Sequence, residues 1–119
     1  QSLSLLTIQA KIARSEGDRE AAMESLQSIV TKDALNGDAL IELAELYAES
    51  GDLPRATTRF EEAMKIEDFR RPALVAFAQV LVREGDYQQA LPLLKQALQI
   101  RPDANLEEFA AKVERAAKS

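Results

Sequence analysis

The side chains that most often perform acid–base and nucleophilic chemistry are missing from this chain, which has no histidine and no cysteine. Their absence excludes Ser–His and Cys–His nucleophile pairs, nearly all zinc sites and the usual general base near neutral pH. The adjacent carboxylates Glu61–Glu62 and Glu107–Glu108 point in different directions on a helix and form no acid–base pair. No glycine-rich phosphate loop or calcium-loop spacing occurs. We predict no enzyme activity, no catalytic residue, no metal site and no cofactor.

One set of charged residues does share a helical face. Asp38, Glu42, Glu45 and Glu49 are spaced by four, three and four residues, which places their carboxylates on one side of a helix. Ile41 lies close to them in the same segment. This arrangement favours electrostatic recognition of a basic partner rather than the making or breaking of bonds.

The composition indicates one soluble domain. With 119 residues, 46% apolar and 29% charged, the chain can bury a continuous core without disulfides. The net charge of −5 argues against a nucleic-acid partner, because phosphate binding relies on clustered Lys and Arg. No apolar stretch approaches the roughly 20 residues that cross a bilayer. Because the first residue is Gln1, we expect excision or processing, and the localisation stays unknown.

A repeat of 34 residues organises the chain. Gly17–Asp18, Gly51–Asp52 and Gly85–Asp86 recur at that spacing, each pair between two stretches with helical apolar spacing. Glycine can take the left-handed conformation that ends one helix, and aspartate can cap the next. We therefore predict helix, tight turn, helix in each unit, with all four glycines at turns. A local kink is expected where Pro92 falls inside its helix.

The period and the unit are similar to the tetratricopeptide repeat, whose pattern is W-x2-L-G-x2-Y, then A-x3-F, then P. The middle unit matches best, and its matching residues are Leu40, Leu43, Ala44, Tyr47, Ala56, Phe60 and Ala63. The first unit is the most divergent, with Ala34 where the closing proline would stand.

The resemblance implies an all-α fold. We expect a right-handed superhelical array of three antiparallel helix-turn-helix repeats closed by a C-terminal capping helix. The expected repeats are residues 3–36, 37–70 and 71–104, the capping helix is 105–119, and 3–119 form one domain.

The resemblance also implies a function in protein–protein interaction. In the family the first helix of each repeat lines a concave groove that receives a peptide or a helix. The candidate groove residues are Lys11, Arg14, Asp38, Ile41, Glu42, Glu45, Glu49, Val75, Gln79 and Val82. We expect a protein or peptide ligand with basic and aliphatic side chains. In the alternative interpretation the charges pair between hairpins, Lys11 with Glu45 and Glu49 with Arg83, and only solvate the surface.

Three further alternatives concern the kind of partner. Some family members grip the carboxylate terminus of chaperones with Lys, Asn and Arg, but the corresponding positions here include Glu42 and Ala76, which argues against that role. Self-association is a second alternative, through an open end at Leu3, Leu5 and Leu6. The third is regulation of an enzyme domain in a larger protein.

Overall fold

Seven α-helices and one short 3₁₀ turn follow one another in a computed structural model that describes residues 1–119, and no strand is present. The helices are α1 Leu3–Ser15, α2 Arg19–Lys32, α3 Gly37–Glu49, α4 Leu53–Met64, α5 Arg70–Arg83, α6 Tyr87–Ile100 and α7 Ala104–Ala117, with the 3₁₀ turn at Glu67–Phe69. The predicted all-α class is confirmed. The division into repeats at 36, 70 and 104 stays a prediction.

The three Gly–Asp turns have the predicted chemistry. Gly17, Gly51 and Gly85 have φ of 74°, 82° and 80°, in the left-handed region that glycine adopts without strain. The Asp18 carboxylate accepts a hydrogen bond from the Ala21 amide at 3.1 Å, which caps α2. The equivalent aspartates cap α4 and α6 in the same way.

The fourth glycine does not lie at a turn, so that part of the prediction is wrong. Gly37 is the first residue of α3, is buried and has no positive φ. The ring of Phe69 packs over it so closely that a β-carbon would overlap the ring atoms. Glycine is needed at this position for close packing rather than for a left-handed backbone.

The helices form three antiparallel pairs that stack in order. Helix α1 packs on α2, α3 on α4 and α5 on α6, each pair contacts the next, and α7 covers α6. Helix α3 also contacts α5 directly, whereas α4 and α6 make no comparable contact. Helices α3 and α5 are therefore closer together than α4 and α6, as on the inside of a curve.

The core runs along the array without any buried charged residue. Aliphatic residues of α1 to α3, with Ala63 of α4 and Ala73 of α5, form a first cluster, and residues from α3 to α7 form a second. Leu6, which we expected at the open end, is instead part of the first cluster. In the second cluster the rings of Phe60 and Phe77 stack with centroids 5.0 Å apart and planes 12° apart. This stack ties the second helix pair to the third.

Pro92 lies within α6, which is continuous from Tyr87 to Ile100. Its ring is exposed to solvent. Whether the axis bends there, as the sequence suggests, stays a prediction. None of the seven helices combines the length and the apolar character needed to cross a membrane.

Candidate functional site

The ten candidate residues lie on α1, α3 and α5, and none of them is fully buried. Helix α1 contributes Lys11 and Arg14, helix α3 contributes Asp38, Ile41, Glu42, Glu45 and Glu49, and helix α5 contributes Val75, Gln79 and Val82. The first helices thus present one row of partly exposed side chains.

A cavity of about 150 Å³ opens between α1 and α3. Its apolar wall includes Leu26 and Ile29 of α2, and its polar wall includes Lys11, Asp38 and Glu42. The structure therefore brings three of the candidate residues to one depression.

Two further polar residues line this cavity and are absent from the candidate set. They are Thr7 of α1 and Asn36, which precedes α3. The Asn36 side-chain oxygen accepts a hydrogen bond from the Ala39 amide at 3.1 Å and so caps α3. An asparagine directly before a helical stretch is a recognisable capping signal, although it does not reveal a cavity.

The carboxylates of the acidic face differ in their partners. Glu49 pairs with Arg19, whose Nε lies 3.8 Å from Oε1 and whose Nη1 donates to the Glu49 carbonyl at 3.3 Å. The other three, Asp38, Glu42 and Glu45, form no ion pair within the chain.

The two ion pairs considered from the sequence are therefore wrong, although one pair between hairpins, Arg19 with Glu49, does form. Lys11 does not pair with Glu45, and Glu49 takes Arg19 rather than Arg83. The turn at Gly17 brings the start of α2 beside the end of α3, where Arg19 is within reach of Glu49.

Burial raises the pKa of the Glu45 carboxyl above its ordinary value of 4.5. The charges of Arg14 and Arg83 act against this increase, while Glu42 and Glu49 add to it. Two guanidinium groups are thus near enough to influence Glu45 without pairing with it. The negative charge of Glu45 is therefore partly balanced by the positive charges of Arg14 and Arg83.

Basic and acidic side chains both line the groove where α3 and α5 end. A cavity of about 360 Å³ there is lined by Arg19, Glu49, Arg83 and Glu84, together with Ala48 and Val80. At the beginning of α3, by contrast, Asp38 and Glu42 form no ion pair, although Lys11 lines the same cavity.

The three aliphatic candidates are half-buried but unequal. Ile41 packs against both core clusters and Val82 against the second, so both contribute to the fold. Val75 of α5 packs against neither cluster. Val75 is therefore the aliphatic side chain most available to a ligand.

The tetratricopeptide repeat family model matches residues 13–79, and a second model of the same family matches residues 73–108. The chain belongs to the tetratricopeptide repeat family. Tetratricopeptide arrays generally serve as interaction modules through extended concave surfaces and are not catalysts. No curated protein sequence matches this chain.

Solved structures share the fold. The tetratricopeptide domain of P58(IPK) superimposes with a TM-score of 0.83 at 20% identity, over 98% of this chain and 33% of that one. The N-terminal domain of STI-1 from C. elegans gives 0.82 at 16% identity over 94% of both chains. The TPR2B domain of yeast Sti1, in a complex with pHsp70, gives 0.76 at 15% identity over 96% and 91%. This tetratricopeptide array spans a third of the P58(IPK) chain.

Proposed function

We propose that this tetratricopeptide array is a protein-binding module whose concave groove holds a peptide or helix with basic and aliphatic side chains. The observation that carries the proposal is the charge at the start of α3. Asp38 and Glu42 have no ion-pair partner in the chain and border a cavity with an apolar wall. A lysine or arginine of the ligand would lay its stem on that wall and its charge beside the carboxylates.

The curvature of the array supports this location. Elements on the inside of a curve approach one another, and the direct contact of α3 with α5 supports a position for these two helices on the inside. A concave surface increases the area that a bound segment can bury, as in other helical repeat proteins. The binding mode would be a segment lying in a groove across several helices.

The aliphatic part of the ligand would contact α5. Val75 is half-buried and does not belong to the core clusters, so its methyl groups can be covered by a ligand without a change in the core. Apolar contact of this kind supplies most of the affinity, whereas exposed carboxylates mainly guide encounter and register.

The experiment selects ligands from a random peptide library displayed on phage, and then measures the affinity of the selected peptides by fluorescence anisotropy. We expect the enriched peptides to contain Lys or Arg interleaved with Leu, Ile or Val. The double variant Asp38→Asn with Glu42→Gln should weaken binding by about two- to thirty-fold, since each exposed charge contributes about 0.2–1 kcal/mol.

A matched control neutralises two carboxylates elsewhere. Glu20 and Glu24 are exposed on α2, outside the candidate groove, and Glu20→Gln with Glu24→Gln changes the net charge by the same amount. The proposal predicts that the control binds like the native protein and that Val75→Glu abolishes binding. Selection of acidic peptides, or equal loss in both double variants, would refute the concave acidic site.

A further inference from the structure

The cavity between α1 and α3 is lined by charges of both signs. Asp38 and Glu42 contribute carboxylates and Lys11 contributes an ammonium group, so the formal charges of the lining leave one negative charge uncompensated. Lys11 is exposed and forms no ion pair with either carboxylate. A basic side chain of a ligand in this cavity would therefore meet two attractive charges and one repulsive charge.

The volume of the cavity limits what it can hold. It measures about 150 Å³, and its wall on the side of α2 is formed by Leu26 and Ile29. An apolar cavity of about 150 Å³ in a protein core binds a molecule the size of benzene. A single lysine or arginine side chain has a comparable size. The cavity consequently has room for one long side chain of a ligand and not for two.

The 34-residue period shows that the fold does not need a base at the position of Lys11. Its equivalents in the second and third helix pairs are Glu45 and Gln79, which also lie on first helices. The same place in the repeat thus accepts a basic, an acidic or an uncharged side chain. The charge of Lys11 is therefore available for recognition.

The carboxylates farther along α3 do not provide a second site for a cation. Glu49 is paired with Arg19, and the positive charges of Arg14 and Arg83 act on Glu45. A ligand cation at either carboxylate would compete with bases that the chain already supplies. The beginning of α3 is therefore the place where one ligand cation is best accommodated.

We propose that Lys11 determines the specificity of the groove by restricting it to ligands with a single, isolated basic side chain. The inference rests on the proposed function. One ligand cation neutralises the remaining negative charge of the cavity, whereas a second cation next to it would find no free carboxylate and would lie near Lys11. Repulsion between like charges is a common way to exclude unwanted partners. The partner is thus a segment with one Lys or Arg among aliphatic and uncharged residues, rather than a polybasic segment.

The first test compares two fluorescein-labelled peptides by fluorescence anisotropy at low salt. One is a peptide from the library selection with a single lysine, and the other carries a second lysine beside the first. The native chain should bind the two with affinities within about two-fold of each other. Lys11→Gln should strengthen binding of the one-lysine peptide about two- to five-fold and of the two-lysine peptide about four- to twenty-five-fold, because each ligand charge loses one repulsive contact.

Two controls separate the charge of Lys11 from any effect on the fold. Lys95→Gln removes the same charge from an exposed position on α6, outside the groove, and should leave both affinities unchanged. A third peptide, with norleucine in place of the lysine, should bind the native chain and Lys11→Gln equally. The gain from Lys11→Gln should also fade in about 1 M salt, where charges are screened beyond about 3 Å.

The inference and the proposed function fail in different ways. If Asp38→Asn with Glu42→Gln weakens binding but Lys11→Gln changes neither affinity, Lys11 does not determine specificity although the acidic site stands. An equal gain for the norleucine peptide, or a native preference for the two-lysine peptide of more than about five-fold, would likewise overturn the role of Lys11. If the native chain binds no basic peptide, the proposed function fails and the inference fails with it.

Discussion

At Gly37, helix α3 begins beneath the ring of Phe69, where there is no room for a β-carbon. Gly37→Ala should lower the free energy of unfolding by about 1–3 kcal/mol, the usual cost of an overpacked site. This loss should exceed the roughly 1 kcal/mol by which alanine is the better helix former. Urea denaturation followed by circular dichroism measures the difference.

The ring of Phe69 provides the control for this prediction. In a Phe69→Ala background the overlap is gone, so Gly37→Ala should become stabilising through helix propensity alone. The same loss of stability in both backgrounds would show that Phe69 is not the cause.

Glu45 should make stability depend on pH. Its folded-state pKa is raised, mainly by burial, so the folded chain binds the proton more tightly than the unfolded chain. The ionised carboxylate therefore disfavours folding above the raised pKa, and this penalty disappears as the pH falls towards the ordinary value of 4.5. Glu45→Gln should stabilise the protein at neutral pH, with a gain that shrinks on acidification.

Denaturation curves from pH 4 to 8 would test the Glu45 prediction. Glu20→Gln on α2 removes one exposed carboxylate and controls for the change in net charge. A gain in stability that is the same at both ends of the pH range, or that grows in acid, would contradict the assignment of burial as the cause.

Among the elements, α6 contains the clearest local defect. Pro92 has no amide hydrogen, so the carbonyl of Gln88 lacks its partner in the helix. Because Pro92 is exposed, Pro92→Ala removes no core packing and should raise the free energy of unfolding by about 1–3 kcal/mol. Thermal and urea denaturation would measure the gain.

Pro54 is the matched control for Pro92, because it lies in the first turn of α4. An amide there has no partner within the helix, so Pro54→Ala should change stability by less than about 1 kcal/mol. If the two substitutions have equal effects, the missing hydrogen bond in α6 is not what limits stability.

The whole molecule is an extended array rather than a sphere. Its radius of gyration is 15.0 Å, whereas a compact chain of this length would have about 13.5 Å. Its extents of 47 × 27 × 22 Å show the long axis along which the helix pairs stack. In such arrays each repeat depends on its neighbours, so contacts between pairs decide the stability of the whole.

Phe60 is the side chain that best tests this dependence. It is fully buried and stacks on Phe77 of the next helix pair. Phe60→Ala should cost about 3–5 kcal/mol of unfolding free energy. Phe60→Leu, which reproduces the residue found at Leu26 one period earlier, should cost clearly less because most of the volume is retained. Denaturation of both variants provides the measurement, and equal losses would contradict this prediction, because the volume that leucine retains would then contribute nothing to stability.

The sequence by itself determined the features that depend only on residues close together in the chain. The left-handed glycines and the aspartate caps require only a turn between two helices, and Asp18 illustrates this because its partner is three residues away. Apolar periodicity likewise predicted the buried alanines and leucines, and the repeat predicted the family. These features recur every 34 residues, so each copy strengthens the interpretation of the others.

Only the tertiary structure decided which side chains meet across helices. It paired Glu49 with Arg19, placed Phe69 over Gly37 and left Asp38 without an ion pair. It also distinguished Ile12, which is 51% exposed, from its equivalent Leu46, which is 3% exposed and joins a core cluster with residues of α2. The apolar periodicity predicts which face of a helix is apolar. The pairing of side chains across helices depends instead on the distance between residues that are far apart in the chain.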